Sequence, residues 1–317
     1  MVENKDYEAQ NADKTVKEGL FNFLKDVLCG VLIGVAFIIP GFSGGSVAAI
    51  LGIYEKMISA IADVFKDMRR SIITLLPIGI GLVLGAVSLL FPLGWALSAY
   101  PLPTVSLFVG LAIGGIPSIT DKLKKGMTPG YAAACGIPLA LALALSFIPT
   151  GADVNLLSLN VGGYVLLFVI GVIGSCALVV PGISGSMLLL ILGYYNPLIK
   201  LITEHFFKGK DLMTCVLVLG ACGLGIAFGF LMISIIMKKL LERYPTGTYF
   251  AIIGFIVGSL PTVYVSTMKD AGMLTSALKL VYMPTSVLYW VFCVAMLASG
   301  IVAAYSFVRY MTKKDLN

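Results

Sequence analysis

Pro40-Gly41-Phe42-Ser43-Gly44 sits between two apolar stretches, and 141 residues later the chain repeats it as Pro181-Gly182-Ile183-Ser184-Gly185. The match extends outward at the same offset. Ile50-Leu51-Gly52 answers Ile191-Leu192-Gly193, Tyr54 answers Tyr195, Ile58 answers Ile199, and upstream Gly30 answers Gly171. Further on the offset becomes 144, where Gly79, Gly81 and Gly85 meet Gly223, Gly225 and Gly229. Gly110, Gly114 and Pro117 then meet Gly254, Gly258 and Pro261. An ordered set of matches across both halves of the chain reads as a duplicated unit of about 140 residues.

What fills each unit follows from charge. The chain has 317 residues, 59% of them hydrophobic and 12% charged, against roughly 25% charged for an ordinary soluble domain. No Asp, Glu, Lys or Arg occurs in 71–120, 126–152, 154–199, 212–237, 244–268 or 280–308. Such stretches match the ~20 apolar residues that cross a bilayer core, so the expected class is an all-α polytopic membrane protein.

Ten hydrophobic segments are expected, at 20–39, 43–61, 71–97, 103–120, 129–149, 161–180, 184–202, 212–237, 246–266 and 285–309. The chain then divides into a tail (1–19), a first repeat (20–149), a linker (150–160), a second repeat (161–310) and a tail (311–317). Each repeat holds five segments. Five is odd, so the second repeat starts from the opposite side of the membrane, giving an inverted-topology repeat. The first two segments of each half either cross fully or form a re-entrant hairpin with Pro-Gly-x-Ser-Gly at its tip. Either choice preserves the parity.

With the N-terminus inside, 17 of the 22 basic residues fall in cytoplasmic stretches, and only Lys200, Lys208, Lys210, Lys269 and Lys279 stay outside. That split follows the positive-inside rule and puts both termini in the cytoplasm. The +6 net charge forms no basic stripe, so nucleic acid is not an expected partner. The first 19 residues mix acids and bases, so no cleavable signal peptide is read there. Six cysteines lie singly in apolar segments and His205 is the sole histidine. Neither a metal site nor a cofactor is expected.

The repeated motif can carry chemistry. Proline ends or kinks the preceding helix, and glycine permits a tight reversal. Ser43 and Ser184 then stand where N-caps belong, ahead of Gly44-Gly45-Ser46 and Gly185-Ser186. A helix start offers unpaired N–H groups and the positive end of a dipole, which suits a phosphate or carboxylate. Inverted halves bring two such tips in from opposite faces. The candidate substrate site is therefore Pro40, Gly41, Ser43, Gly44, Gly45, Ser46, Pro181, Gly182, Ser184, Gly185 and Ser186. The alternative is a pair of helix breaks that serve packing alone. The Gly-xxx-Gly pairs, such as Gly30/Gly34 and Gly110/Gly114, are read as close helix contacts. Glu55, Arg69 and Arg70 are candidate residues of the path's cytoplasmic mouth. Glu55 is also the most plausible proton-linked group.

Gly-x-Ser-Gly also fits intramembrane serine proteases, which need a general base beside the serine. His205 follows the 184–202 segment, and an unbroken helix of that length would hold it roughly 30 Å from Ser184. No catalytic residue is assigned.

Over Gly34 to Ser46, Ile50 to Glu55 and Val180 to Ser186, together with Gly110, Gly114 and Pro117, the sequence resembles the bacterial polyprenyl-phosphate (undecaprenyl-phosphate) translocases of the PopT type. The resemblance covers about 25–310. An acidic residue that often precedes the first Pro-Gly in that family is replaced here by Phe37 or Ile38, and the threonine after the double glycine by Ser46. The resemblance implies a polyprenyl phosphate lipid as substrate, recycled across the bacterial cytoplasmic membrane for cell-envelope synthesis. The alternatives are a channel or carrier for a small soluble anion and an intramembrane hydrolase.

Overall fold

The computed structural model describes residues 2–38, 43–123, 126–148, 151–274 and 280–315, with the backbone alone at 2–18, 38, 146, 186, 187 and 311–315. In the first half the helices are α1 (Val2–Ile38), α2 (Gly44–Ile50), α3 (Tyr54–Ala62), α4 (Met68–Ala99), α5 (Pro101–Thr120) and α6 (Pro129–Phe147). In the second they are α7 (Val161–Val179), α8 (Gly185–Ile191), α9 (Tyr195–Lys200), a π-helical turn (Leu201–Phe206), α10 (Leu212–Arg243), α11 (Pro245–Asp270) and α12 (Val287–Asp315). Seven of the described helices are long and apolar enough to cross a membrane: α1 from Gly19, α4, α5, α7, α10, α11 and α12. The protein is an all-α, multi-pass membrane protein.

The second segment of each half departs from expectation. Sequence predicts one element over 43–61 and one over 184–202; the structure divides each in two. α2 and α3 meet at 119°. The break is a helix C-cap built on one glycine. Gly52 takes φ 74°, its N–H donates to Ala49 O at 3.1 Å, and the Ile53 N–H donates to Ala48 O at 3.1 Å. Gly193 does the same at φ 77°, with Gly193 N to Leu190 O at 3.1 Å and Tyr194 N to Leu189 O at 2.9 Å. This paired bonding around a left-handed glycine is the Schellman motif. Hydropathy runs straight through it, which is why the break is invisible to a hydrophobic window.

Long helices pack in pairs, and the pairs recur. α1 lies along α4 as α7 lies along α10; α5 lies along α12 as α11 lies along α6. Small residues make these contacts possible. A Cβ built on Gly30, Gly34, Gly81 or Gly85 would fall 2.0–2.2 Å from a carbonyl oxygen of the facing helix. Gly110 and Gly114 press on Leu297 and Ile301, and Gly254 and Gly258 on Cys135 and Leu139. In a membrane, where lipid is as apolar as a side chain, such close backbone approach is what favours helix association. The last helix of each half therefore packs against the other half. One buried cluster runs through both, including Ile33, Ala48, Tyr54, Val105, Val179, Tyr249 and Ile256.

Candidate functional site

The first motif starts α2. Ser43 is its N-cap in extended conformation (φ −112°, ψ 126°), and its carbonyl accepts from Ser46 N at 3.0 Å and Val47 N at 3.3 Å. The sequence places a capping hydroxyl here, but the Ser43 side chain makes no cap bond. Its Oγ and that of Ser46 are buried with no hydrogen-bond partner among the described residues; the residues are 4% and 2% exposed. Residues three apart on a helix share a face, so α2 holds two uncommitted hydroxyls side by side. An unsatisfied buried hydroxyl costs about 1–3 kcal/mol, which makes the pair notable. Gly44 and Gly45 are buried beside them, in the first turn, whose N–H groups have no partner within the helix. Pro40 and Gly41 lie outside the described residues.

The second motif is built alike. Ser184 is the N-cap of α8 (φ −92°, ψ 123°), again without a cap bond, and its carbonyl accepts from Leu188 N at 3.1 Å. Gly182 takes φ 88° and lies against the α11 backbone: a Cβ there would fall 2.5 Å from the Phe255 carbonyl group. Gly185 faces Ala177. The Ser186 side chain lies outside the described residues.

The two tips touch. A Cβ on Gly45 would sit 3.4 Å from Pro181 N, Pro181 Cα and Val179 O. Tyr54, buried at the start of α3, donates from its hydroxyl to that same Val179 carbonyl at 2.8 Å. The structure thus packs Gly45, which follows Ser43-Gly44 and precedes Ser46, against Pro181 where the halves meet. Tyr54 is a contact the sequence signalled only as a repeat match with Tyr195.

Glu55, Arg69 and Arg70 stand apart from the tips. Arg69 and Arg70 are exposed at the start of α4, where the Arg70 N–H donates to the Asp67 carboxylate at 3.0 Å. Glu55 accepts a hydrogen bond from the Tyr249 hydroxyl and lies 3.6 Å from Lys122 Nζ, which itself donates to Tyr249 at 3.0 Å. Two further ion pairs join this cluster: Lys56 with buried Asp26, and Lys238 with Asp63, the residue that follows α3. The Lys238 hydrogen bond holds the Asp63 carboxyl below its ordinary range. Sequence reading registered Lys122 and Lys238 only as topology signals.

Near the second bend the polar groups are different. Asn196 donates to Asp153 at 3.3 Å, and Lys200 lies 3.5 Å from the same carboxylate. His205 is bonded to Asp211 at 3.0 Å. The bends in this segment remove the straight-helix spacing between Ser184 and His205; it is the Asp211 bond that gives His205 a structural occupation.

The family whose model matches this chain, over residues 33–281, is described as undecaprenyl phosphate translocase-like. The chain is 28% identical over 247 residues to a polyprenyl-phosphate transporter of Staphylococcus aureus, an alignment covering 75% of this chain and 85% of that protein. It is 27% identical over 120 residues to a polyprenyl-phosphate transporter of Vibrio cholerae, covering 33% of this chain and 38% of that one. No solved structure matches it significantly.

Proposed function

This chain belongs to the undecaprenyl phosphate translocase-like family, and from that premise we propose that it moves undecaprenyl (polyprenyl) phosphate across the bacterial cytoplasmic membrane, returning the carrier lipid for envelope synthesis. The relatives are named as transporters, and the chain is a transporter rather than an enzyme. The phosphate head is held where the two tips meet, and the observation that carries this reading is the pair of buried hydroxyls of Ser43 and Ser46, without a partner among the described residues, on either side in the chain of the Gly44-Gly45 pair whose Gly45 packs on Pro181. The amides of Gly44 and Gly45 add neutral donors. Gly182, Ser184, Gly185 and Ser186 supply the second tip, and Pro40 and Gly41 are proposed with them as part of the motif.

Halves 20–149 and 161–310 act as an inverted repeat around that point, joined by 150–160. The recurrent helix pairings and the recurrent caps at Gly52 and Gly193 support this. The distribution of basic residues supports a cytoplasmic side for both termini. Glu55, Arg69 and Arg70 then stand at the cytoplasmic mouth, with Glu55 tying α3 to Lys122 and Tyr249.

The test is a liposome assay in which labelled undecaprenyl phosphate is probed on each leaflet. A hydroxyl bonded to a charged group contributes about 1.5–3 kcal/mol, so Ser43→Ala or Ser46→Ala should weaken phosphate binding roughly tenfold to a hundredfold. Neither variant should lower protein stability, because neither hydroxyl has a partner among the described residues. Normal binding and flipping by the Ser43→Ala, Ser46→Ala double variant would remove the phosphate from this place. Transport of inorganic phosphate in preference to the lipid would favour the soluble-anion reading.

A further inference from the structure

Beside the first tip lies a groove of about 270 Å³ whose lining side chains are all apolar. Ala36 of α1 and Val47 of α2 flank it where the tip ends. Phe108 and Leu111 of α5 form its floor together with Ala303 and Phe307 of α12. Val47 is the residue after Ser46, so the same short helix that presents the two uncommitted hydroxyls continues directly into the groove wall. The groove is also assembled from both halves, since α12 belongs to the second.

We propose that this groove takes the head-proximal isoprene units of the polyprenyl chain while the phosphate engages Ser43 and Ser46. The proposal rests on the headgroup reading above and adds a place where the tail is recognised. Continuity decides the occupant: a phosphate at Ser46 has its first carbons within reach of Val47, and no polar group interrupts the lining beyond it. The selection is by shape. Hydrocarbon leaving lipid for an apolar groove gains no hydrophobic free energy, because lipid tails are as apolar as the wall. What remains is packing, and a gap on one side of a wall forfeits its dispersion contacts. Small Ala36 and Ala303 line the groove together with the rings of Phe108 and Phe307, and a wall that mixes small and large side chains leaves recesses that the methyl branches of a prenyl chain fill. A straight acyl chain leaves them empty.

The test uses purified full-length protein in detergent and three probes: undecaprenyl phosphate, dimethylallyl phosphate, and a phosphatidic acid with saturated tails. Ala303 is exposed at the groove edge, so Ala303→Phe fills the recess from the lipid side without entering the bundle; Ala303→Leu replaces it if the larger ring impairs assembly. The expected result is a roughly tenfold loss of undecaprenyl phosphate affinity, with dimethylallyl phosphate binding unchanged. Phe307→Ala should widen the groove and narrow the wild-type preference for undecaprenyl phosphate over phosphatidic acid. Unchanged undecaprenyl phosphate binding in the filled variant overturns the proposal, as does equal wild-type affinity for undecaprenyl phosphate and phosphatidic acid. The headgroup reading fails separately: Ser43→Ala, Ser46→Ala would then bind every probe normally, while Ala303→Phe still discriminated against the long prenyl chain.

Discussion

α3 and α9 each leave a bend capped by one left-handed glycine, Gly52 in the first half and Gly193 in the second, yet they are held by different means. From α3 and the residue after it, ion pairs and hydrogen bonds reach α1 through Asp26, the end of α5 through Lys122, α10 through Lys238 and α11 through Tyr249. Two of those partners lie in the other half. α9 is tied by Asn196 and Lys200 to Asp153, in the linker just before its own half. That linker also covers the bend: Gly151 N donates to Leu190 O at 3.1 Å and Val154 N to Gly193 O at 3.1 Å. The two caps share one backbone geometry, while the charges around them differ. The first bend is strapped across the halves by electrostatics, and the second is closed by the backbone of the linker.

The largest expected difference comes from the two cap glycines. Gly52→Ala meets open space and carries only the left-handed penalty of about 1–2 kcal/mol. Gly193→Ala adds a Cβ 2.2 Å from the Ala152 carbonyl oxygen, so its cost should exceed about 3 kcal/mol. Thermal unfolding of the two variants in one detergent would show it; equal shifts would mean the linker does not pin the second bend.

A smaller contrast separates the ion pairs. Lys238→Met should destabilise by about 0.5–1 kcal/mol, and Lys200→Met, at a more exposed pair, by less than about 0.5. The exchange Asp63→Lys with Lys238→Asp should recover most of the first loss, whereas a double variant no better than Lys238→Met would deny that the pair acts as a strap.

The smallest effect is in pH dependence. Asp63's folded value lies below its unfolded one, so its contribution is present above the ordinary carboxylate range near about 4 and is lost as pH falls through the depressed value. The stability gap between wild type and Asp63→Asn should therefore stay flat from about pH 6 to 8 and close only in acid. A gap that changes near neutrality would assign the titration to another group.

How much of this was readable from sequence depends on the length scale. Charge-free stretches located α4, α5, α7, α10, α11 and α12 because a bilayer demands ~20 apolar residues in a row; they did not mark α1, whose span holds Lys25 and Asp26, and the charge-free 126–152 stretch gave only the shorter α6. The glycine pairs were legible as contacts because nothing else permits backbone so close. The bends were not, since Leu51-Gly52-Ile53 is as apolar as what surrounds it and only φ distinguishes it. Ser43 was correctly set at a helix start, but the sequence could not say that its hydroxyl would be left without a partner. The Glu55–Tyr249–Lys122 contact joins residues up to 194 positions apart, and no local pattern encodes that meeting.

The exchanged last helices also bear on how the chain is made. Gly110 on α5 waits for Leu297 on α12, 187 residues later by their numbers. At ribosomal rates of ~5–20 residues per second that is a delay of roughly 10–40 s. During it, the small-residue face of α5 has no final neighbour and must rest against lipid, the insertion machinery or a provisional helix. α6 emerges next and finds its own partner, α11, only after a similar wait. Neither half can complete its packing alone, so these contacts are complete only once α12 has been made, and a chain cut short before α12 leaves the small-residue face of α5 for quality control to recognise.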